Sequence, residues 1–296
     1  GRYDHHTGLP EDLFSPRAAL VFKPTEDHAF RVTYNKAYST PTSLNQFLDL
    51  GSAIPDPSAA QLGYSLRVQG TGTTGFRFRQ ASGGYLIRSP FTPTGGGFTG
   101  PTQLIPADAA SMFQAAVSVV AAGAAARGQP IPANVLNVLR TSNPTAAQIP
   151  TAFRHPARTG ADASGLLADL DLPNVDPIRE STTQAFEAGY KGILGGKLLL
   201  AADVWYERRN NLVTPLTIQT PLLLLSGPQL VGYLTQQFVA RLGMTPAQAQ
   251  QTAVNLAGSP TVPGLATIPL GVISSPDVSS TGAQLLTTYY NVEDEL

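Results

Sequence analysis

Long runs of period-two alternation, joined in turn by very short bends and by very long excursions, constrain this chain more than any other feature. The run from Ser15 to Pro24 bends at Thr25-Glu26-Asp27 and returns as His28 to Lys36. On the return, Phe30, Val32 and Tyr34 share one parity and Arg31, Thr33 and Asn35 the other. Alternation of this kind marks a strand, whose successive side chains point to opposite faces. The pattern recurs from Thr182 to Leu194, through Gly195-Gly196, and back along Lys197 to Val213. Phe186, Ala188 and Tyr190 oppose Glu187 and Lys191 there, while Leu200, Ala202, Val204 and Tyr206 oppose Asp203 and Glu207. Glycine tolerates positive φ, so Gly-Gly between two such runs reads as a hairpin turn. A fifth strand is expected from Gln284 to Glu295, with Thr288, Tyr290 and Val292 on one parity. Ordinary strands run about 5–6 residues, whereas Lys197 to Val213 would extend roughly 55 Å at 3.3 Å per residue. A tilted strand of about 9–11 residues already crosses a bilayer.

The excursions cover residues 40–179 and 214–281 and are rich in Pro, Gly, Ser and Thr. Within the first, Tyr64 to Gln69 with Phe76 to Gln80 reads as a hairpin, Asp108 to Arg127 as an Ala-rich helix, and Pro132 to Arg140 as a further helical segment. Within the second, helices are expected at Pro228 to Leu242 and Pro246 to Leu256, with Pro as start signal and Gly243 and Gly258 as stops. A compact domain rarely carries irregular loops of this length. An outer-membrane barrel does, with short turns on one side and long loops on the other. From Asn210 to Pro276 the sole charged residue is Arg241, so this segment is expected to pack against other chain rather than lie in water.

Of 296 residues, 13% are charged and 42% hydrophobic, with a net charge of −1. Disorder needs the reverse balance, and nucleic-acid binding needs surplus Lys and Arg, so neither fits. Without Cys, disulfide scaffolds and thiolate metal sites or nucleophiles are excluded. The first residues hold neither a signal-peptide pattern nor an initiator Met, and the chain reads as cut from something longer. Gly70 to Gly75 spells G-x-G-x-x-G, but Phe76-Arg77-Phe78-Arg79 follows and the next acid is Asp108; a nucleotide loop needs a helix and a nearer acid, so a flexible hairpin tip is expected. His5, His6, His28 and His155 form no ligand spacing; His28 reads as an exposed turn residue, and a His5-His6 metal contact is the minor reading. Hydrolase signatures are missing, and Pro144 spoils Asn143-Pro144-Thr145 as a glycosylation site. Glu293-Asp294-Glu295-Leu296 lacks the Lys or His of a retention tail and reads as the end of a strand. Ala107 to Ala126 is too Ala-rich for a membrane helix and reads as a helix packed inside a loop.

The quoted hairpins resemble the barrel of TonB-dependent outer-membrane receptors. Ser15 to Thr42, SPRAALVFKPTEDHAFRVTYNKAYSTPT, is similar to that family's Ser-Pro-Arg, strand, polar turn and Tyr-Asn-x-Ala-Tyr strand. Thr183 to Asn211, TQAFEAGYKGILGGKLLLAADVWYERRNN, resembles its next hairpin, with a weaker echo in Thr287 to Asn291. The resemblance implies an all-β fold with helical loop insertions: a partial transmembrane antiparallel β-barrel, about five strands of a parent with about 22. Strands would lie near residues 15–39, 182–213 and 284–296, and extracellular loops at 40–179 and 214–281. The family's plug and its TonB box are absent from this sequence, so the implied function belongs to the parent.

That function is energy-coupled uptake of a scarce solute, such as a siderophore, cobalamin or a saccharide, across the cell outer membrane of a Gram-negative-type bacterium. Implied partners are outer-membrane lipid and the inner-membrane TonB complex acting through the plug; no nucleic acid, cofactor or enzymatic step is implied. Given the strand parities, Phe30, Val32, Tyr34, Phe186, Tyr190, Val204 and Tyr206 would face lipid. Arg31, Asn35, Glu187, Asp203 and Glu207 would face the lumen, bonded to a plug or to neighbouring strands, or in contact with a passing solute. The low charge of the excursions hints at a ligand that is not highly ionic. The rivals are a passive outer-membrane channel or translocation barrel and a secreted β-rich binding or adhesion protein. The receptor reading requires that the apolar strand residues lie outside any water-soluble core.

Overall fold

The computed structural model describes residues 1–5, 12–54, 57–80, 82–259 and 262–292. Four long strands form an open antiparallel sheet: β1 Arg17–Thr25, β2 His28–Ser39, β3 Ser181–Leu194 and β4 Leu198–Asn210, in the order β4-β3-β2-β1. Gly195 and Gly196 both take positive φ, 58° and 71°, which glycine adopts without steric cost, and with Lys197 they form the loop between the paired Leu194 and Leu198. Ile193 N–H donates to Asp27 O at 2.9 Å, so the two tight turns lie side by side at one end of the sheet. Both excursions leave from the other end.

Register assigns the faces. Arg31 lies opposite Gly189 and Gly189 opposite Asp203; Tyr34 lies opposite Phe186 and Phe186 opposite Tyr206. Directly paired residues share a face, so even-numbered side chains form an apolar face and odd-numbered ones a mainly polar face. Neither is covered: Gly192 is the only buried residue in the four strands. Leu20, Phe22, Phe30, Val32, Phe186, Val204 and Tyr206 are all exposed, Val204 to 72%. No water-soluble core takes them in.

The outer edges of β1 and β4 carry no long neighbour among the described residues. At the end away from the turns, Arg2–Asp4 pairs antiparallel with Leu13–Ser15, which leads into β1. Asn291–Val292 pairs antiparallel with Leu212–Val213, which follows β4 after Asn211. No sheet among the described residues closes into a barrel.

The excursions condense together into one packed body. A six-stranded antiparallel sheet orders Ile105–Pro106, Leu86–Arg88, Gly271–Ile273, Leu222–Leu225, Thr151–Arg154 and Ser164–Leu166. Its middle pairings join the first excursion to the second. A second sheet orders Thr217–Ile218, Gln284–Thr288, Ser65–Gln69 and Asp49–Ser52, with Gln284–Thr288 parallel to Ser65–Gln69. Four helices pack beside them: α1 Phe113–Ala126, α2 Ala133–Arg140, α3 Gly227–Leu242 and α4 Pro246–Ala257. α3 buries Leu230, Leu234 and Phe238, and α4 buries Ala249, Ala253 and Ala257. Each set is an i, i+4, i+8 stripe, and the alanines let the two helices approach closely. Thr245 and Gln248 cap α4 reciprocally, the arrangement in which both orphan amides are satisfied. No described helix is long and apolar enough to cross a membrane.

Several expectations need correction. Gln284–Thr288 is fully buried in the packed body, so it belongs to a different sheet from β1–β4; Glu293 to Leu296 lie outside the described residues. Ser65–Gln69 pairs with Asp49–Ser52 rather than with Phe76 to Gln80. The loop from Gly70 to Gly75 is no free hairpin tip. A Cβ on Gly70 would lie 2.5 Å from the Gln46 backbone, and one on Gly75 2.0 Å from Val175 O. The glycines are there because other backbone presses against them. The near-absence of charge from Asn210 to Pro276 has its cause in burial: Leu222–Leu225, Gly271–Ile273 and one flank of each helix are core.

Candidate functional site

The odd-numbered face gathers part of the residue set expected there. Arg31 Nη2 lies 3.6 Å from Glu187 Oε2 and 3.5 Å from Asp203 Oδ1. Thr33 Oγ1 donates to Glu187 Oε2 at 3.2 Å. Gly189 makes this cluster possible, because it stands between Arg31 and Asp203 in the register. A Cβ there would come within 2.3 Å of Asp203 Oδ1, so the missing side chain is the corridor across β3. Asn35 and Glu207 share a row on either side of Ala185 without touching; Glu207 accepts a hydrogen bond from Arg209 instead. All these groups stay substantially open to solvent, where ion pairs contribute about 0–1 kcal/mol. Their arrangement can order polar contacts along a face; it holds no nucleophile or proton-transfer pair.

Trp205 was not among the candidates, yet it stands on this polar face, 72% exposed, opposite Glu187. Its odd number was the available signal. On the even face, His28 Nδ1 meets Tyr190 OH at 2.8 Å, so His28 is a partnered, half-buried group and not a free turn residue. Tyr34 and Phe186 rings lie 4.7 Å apart and tilted. With Tyr206 they form an aromatic row just before Lys36, Gln184 and Arg208 on the same face.

His155 belongs to the packed body and is buried. Its Nδ1 accepts from Ala157 N–H at 3.3 Å, and Nε2 lies 3.1 Å from Gln219 O. Two such contacts suit a neutral ring protonated at Nε2. Burial holds its pKa below the usual value; the Gln219 carbonyl opposes this and nearby Arg158 adds to it. His5 Nδ1 contacts Asp12 Oδ1 at 2.5 Å, whereas His6 lies outside the described residues. Among the described residues no three His, Asp or Glu converge as a metal site.

The packed body also holds a cleft of about 860 Å³ that the sequence did not announce. Leu62, Val120, Phe153, Leu224 and Ile268 supply apolar wall. Arg127, Arg154 and the first turn of α3 supply the polar part. Arg127 lies back along α1, its Nη1 only 3.3 Å from where a Cβ on Gly123 would be. Arg154 sits on the strand Thr151–Arg154 opposite Ser164. No Asp or Glu is among the described residues lining the cleft.

Residues 1–75 match the family described as TonB dependent receptor-like, beta-barrel. This bears out the resemblance read from the sequence over the first hairpin; β3 and β4 lie beyond the matched region. The family is one of outer-membrane receptors. No curated protein and no solved structure matches the chain.

Proposed function

We propose, on the premise of that TonB-dependent receptor match, that the open sheet is a section of outer-membrane barrel wall. Its even face lies against lipid, its odd face toward the lumen, and the packed body outside the cell. The parent then takes up a scarce solute through a plug pulled by the inner-membrane TonB complex, with no covalent step. The observation that carries this reading is the uncovered apolar face. On β3 it runs from Phe186 to Leu194, roughly 26 Å along the strand at 3.3 Å per residue, comparable with the band of about 25 Å on outer-membrane barrels. The aromatic row Tyr34–Phe186–Tyr206 sits at its border with polar side chains, where such barrels carry their girdles. The two short pairings at the loop end support the same reading. Arg2–Asp4 pairs with the segment that leads into the edge strand β1, and Asn291–Val292 with the segment that follows the edge strand β4. Edges open to lipid are not tolerated, so each requires a further strand.

Lacking Cys, the chain accepts unique spin labels. Single cysteines at Val32, Thr33, Asp203 and Val204, nitroxide-labelled in outer membranes, should alternate. The even sites should relax with oxygen dissolved in lipid and the odd sites with an aqueous nickel chelate. Equal water access at both parities would defeat the barrel reading. Uptake that persists after the proton-motive force is collapsed would favour the passive channel.

A further inference from the structure

We infer that the cleft of the packed body binds an organic anion with an apolar body, a carboxylate carried on a ring or chain. Its volume, about 860 Å³, lies within the range of small-molecule sites, about 300–1,000 Å³. Leu62, Val120, Phe153 and Ile268 offer the ligand apolar wall. Arg127 and Arg154 stand at the same cleft, and neither guanidinium has a hydrogen-bond or ion-pair partner among the described residues. Four of the body's eight other arginines are spoken for: Arg67 by Asp49 at 2.6 Å, Arg79 by Asp171 at 3.3 Å, Arg88 by the Thr102 carbonyl at 3.0 Å and Arg241 by the Val138 carbonyl at 3.4 Å; what sets Arg127 and Arg154 apart is that they share one cleft. Two exposed guanidinium groups lining one concavity, with no carboxylate among its described lining, leave a local positive field, which a low-dielectric wall concentrates. Arginine suits this role, because its planar fork matches a carboxylate bidentately. The amides that open α3 at the rim lack intrahelical acceptors and favour the same sign. The low overall charge of the excursions pointed away from an ionic ligand; the placement of these two arginines reverses that hint.

The inference deepens the receptor reading and rests on it only for the side from which ligand arrives. The test titrates the full chain in detergent micelles with 2-naphthoate and with its neutral counterpart 2-naphthamide, by calorimetry. The carboxylate should bind one to one and about tenfold or more tighter than the amide, with affinity falling as salt rises. Arg127→Gln and Arg154→Gln should each remove most of that preference, while Arg127→Lys retains part of it and Arg77→Gln, away from the cleft, changes nothing. Equal binding of acid and amide to the unaltered chain, or full affinity in both glutamine variants, overturns the inference. Because micelle-bound protein reports on the cleft alone, failure of the spin-label alternation would remove the barrel reading and leave this result standing, and the reverse also holds.

Discussion

Gly75 and His155 carry testable consequences of close backbone approach and of burial. Gly75 takes φ +70°, and a Cβ there would meet Val175 O at 2.0 Å, inside the two-way hydrogen bonding of Phe76 with Val175. Gly75→Ala should cost about 2–4 kcal/mol, from positive-φ strain plus displaced backbone, measurable as a lowered urea midpoint. Gly72, also at positive φ but with open space around it, should cost less for the same change. His155 is held neutral by burial, with a pKa below its unfolded value. The unfolded chain takes up the proton near pH 6.5. The stability is therefore complete above that pH and declines as pH falls through the folded-state value. Melts between pH 7.5 and 5 should show this decline, and His155→Gln should flatten it. The glycine-rich loop was visible in the sequence, but its purpose was not. Nothing local to Gly70–Gly75 shows that Gln46 and Val175 press on it.

Among elements, β1–β4 were legible because their two faces differ in chemistry, and period two survives any error in register. The sequence could not supply partners: that Arg31 reaches Asp203 across Gly189 depends on pairing strands far apart in the chain. The strand Gln284–Thr288 was misplaced for the opposite reason. With every residue buried it has no contrasting face, and a short buried run says nothing about which sheet owns it. The amphipathic strands carry the sharper prediction. Val204→Arg or Val32→Arg should destabilise membrane-inserted protein by about 2–4 kcal/mol, the depth-dependent range for arginine on a barrel's lipid face. Thr33→Arg, one residue away on the polar face, should stay within about 1 kcal/mol. Urea unfolding from lipid vesicles distinguishes the pair, and equal costs would count against lipid on the even face.

For the whole molecule, the separation into amphipathic sheet and packed body was legible from loop length and charge scarcity. The union of both excursions into one core was not, since it rests on pairings such as Leu222–Leu225 with Thr151–Arg154 and Gly271–Ile273 with Leu86–Arg88. Leu223 is wholly buried in the central sheet. Leu223→Ala should cost about 2–5 kcal/mol and speed hydrogen exchange at Phe153 and Ile87 as much as at Ile273. Confinement of the effect to one excursion would show two independent loops instead. The parallel ladder of Gln284–Thr288 on Ser65–Gln69 has a last consequence, for the order of events in making the protein. The amino-terminal half of this ladder leaves the ribosome long before its mate exists, and contacts so remote in sequence form slowly. Until Gln284–Thr288 is delivered, Val68 and its neighbours stand as sticky, half-made surface open to aggregation. A chain built this way profits from an escort that holds unfolded chain, and refolding with a holdase present should raise its yield over refolding without one.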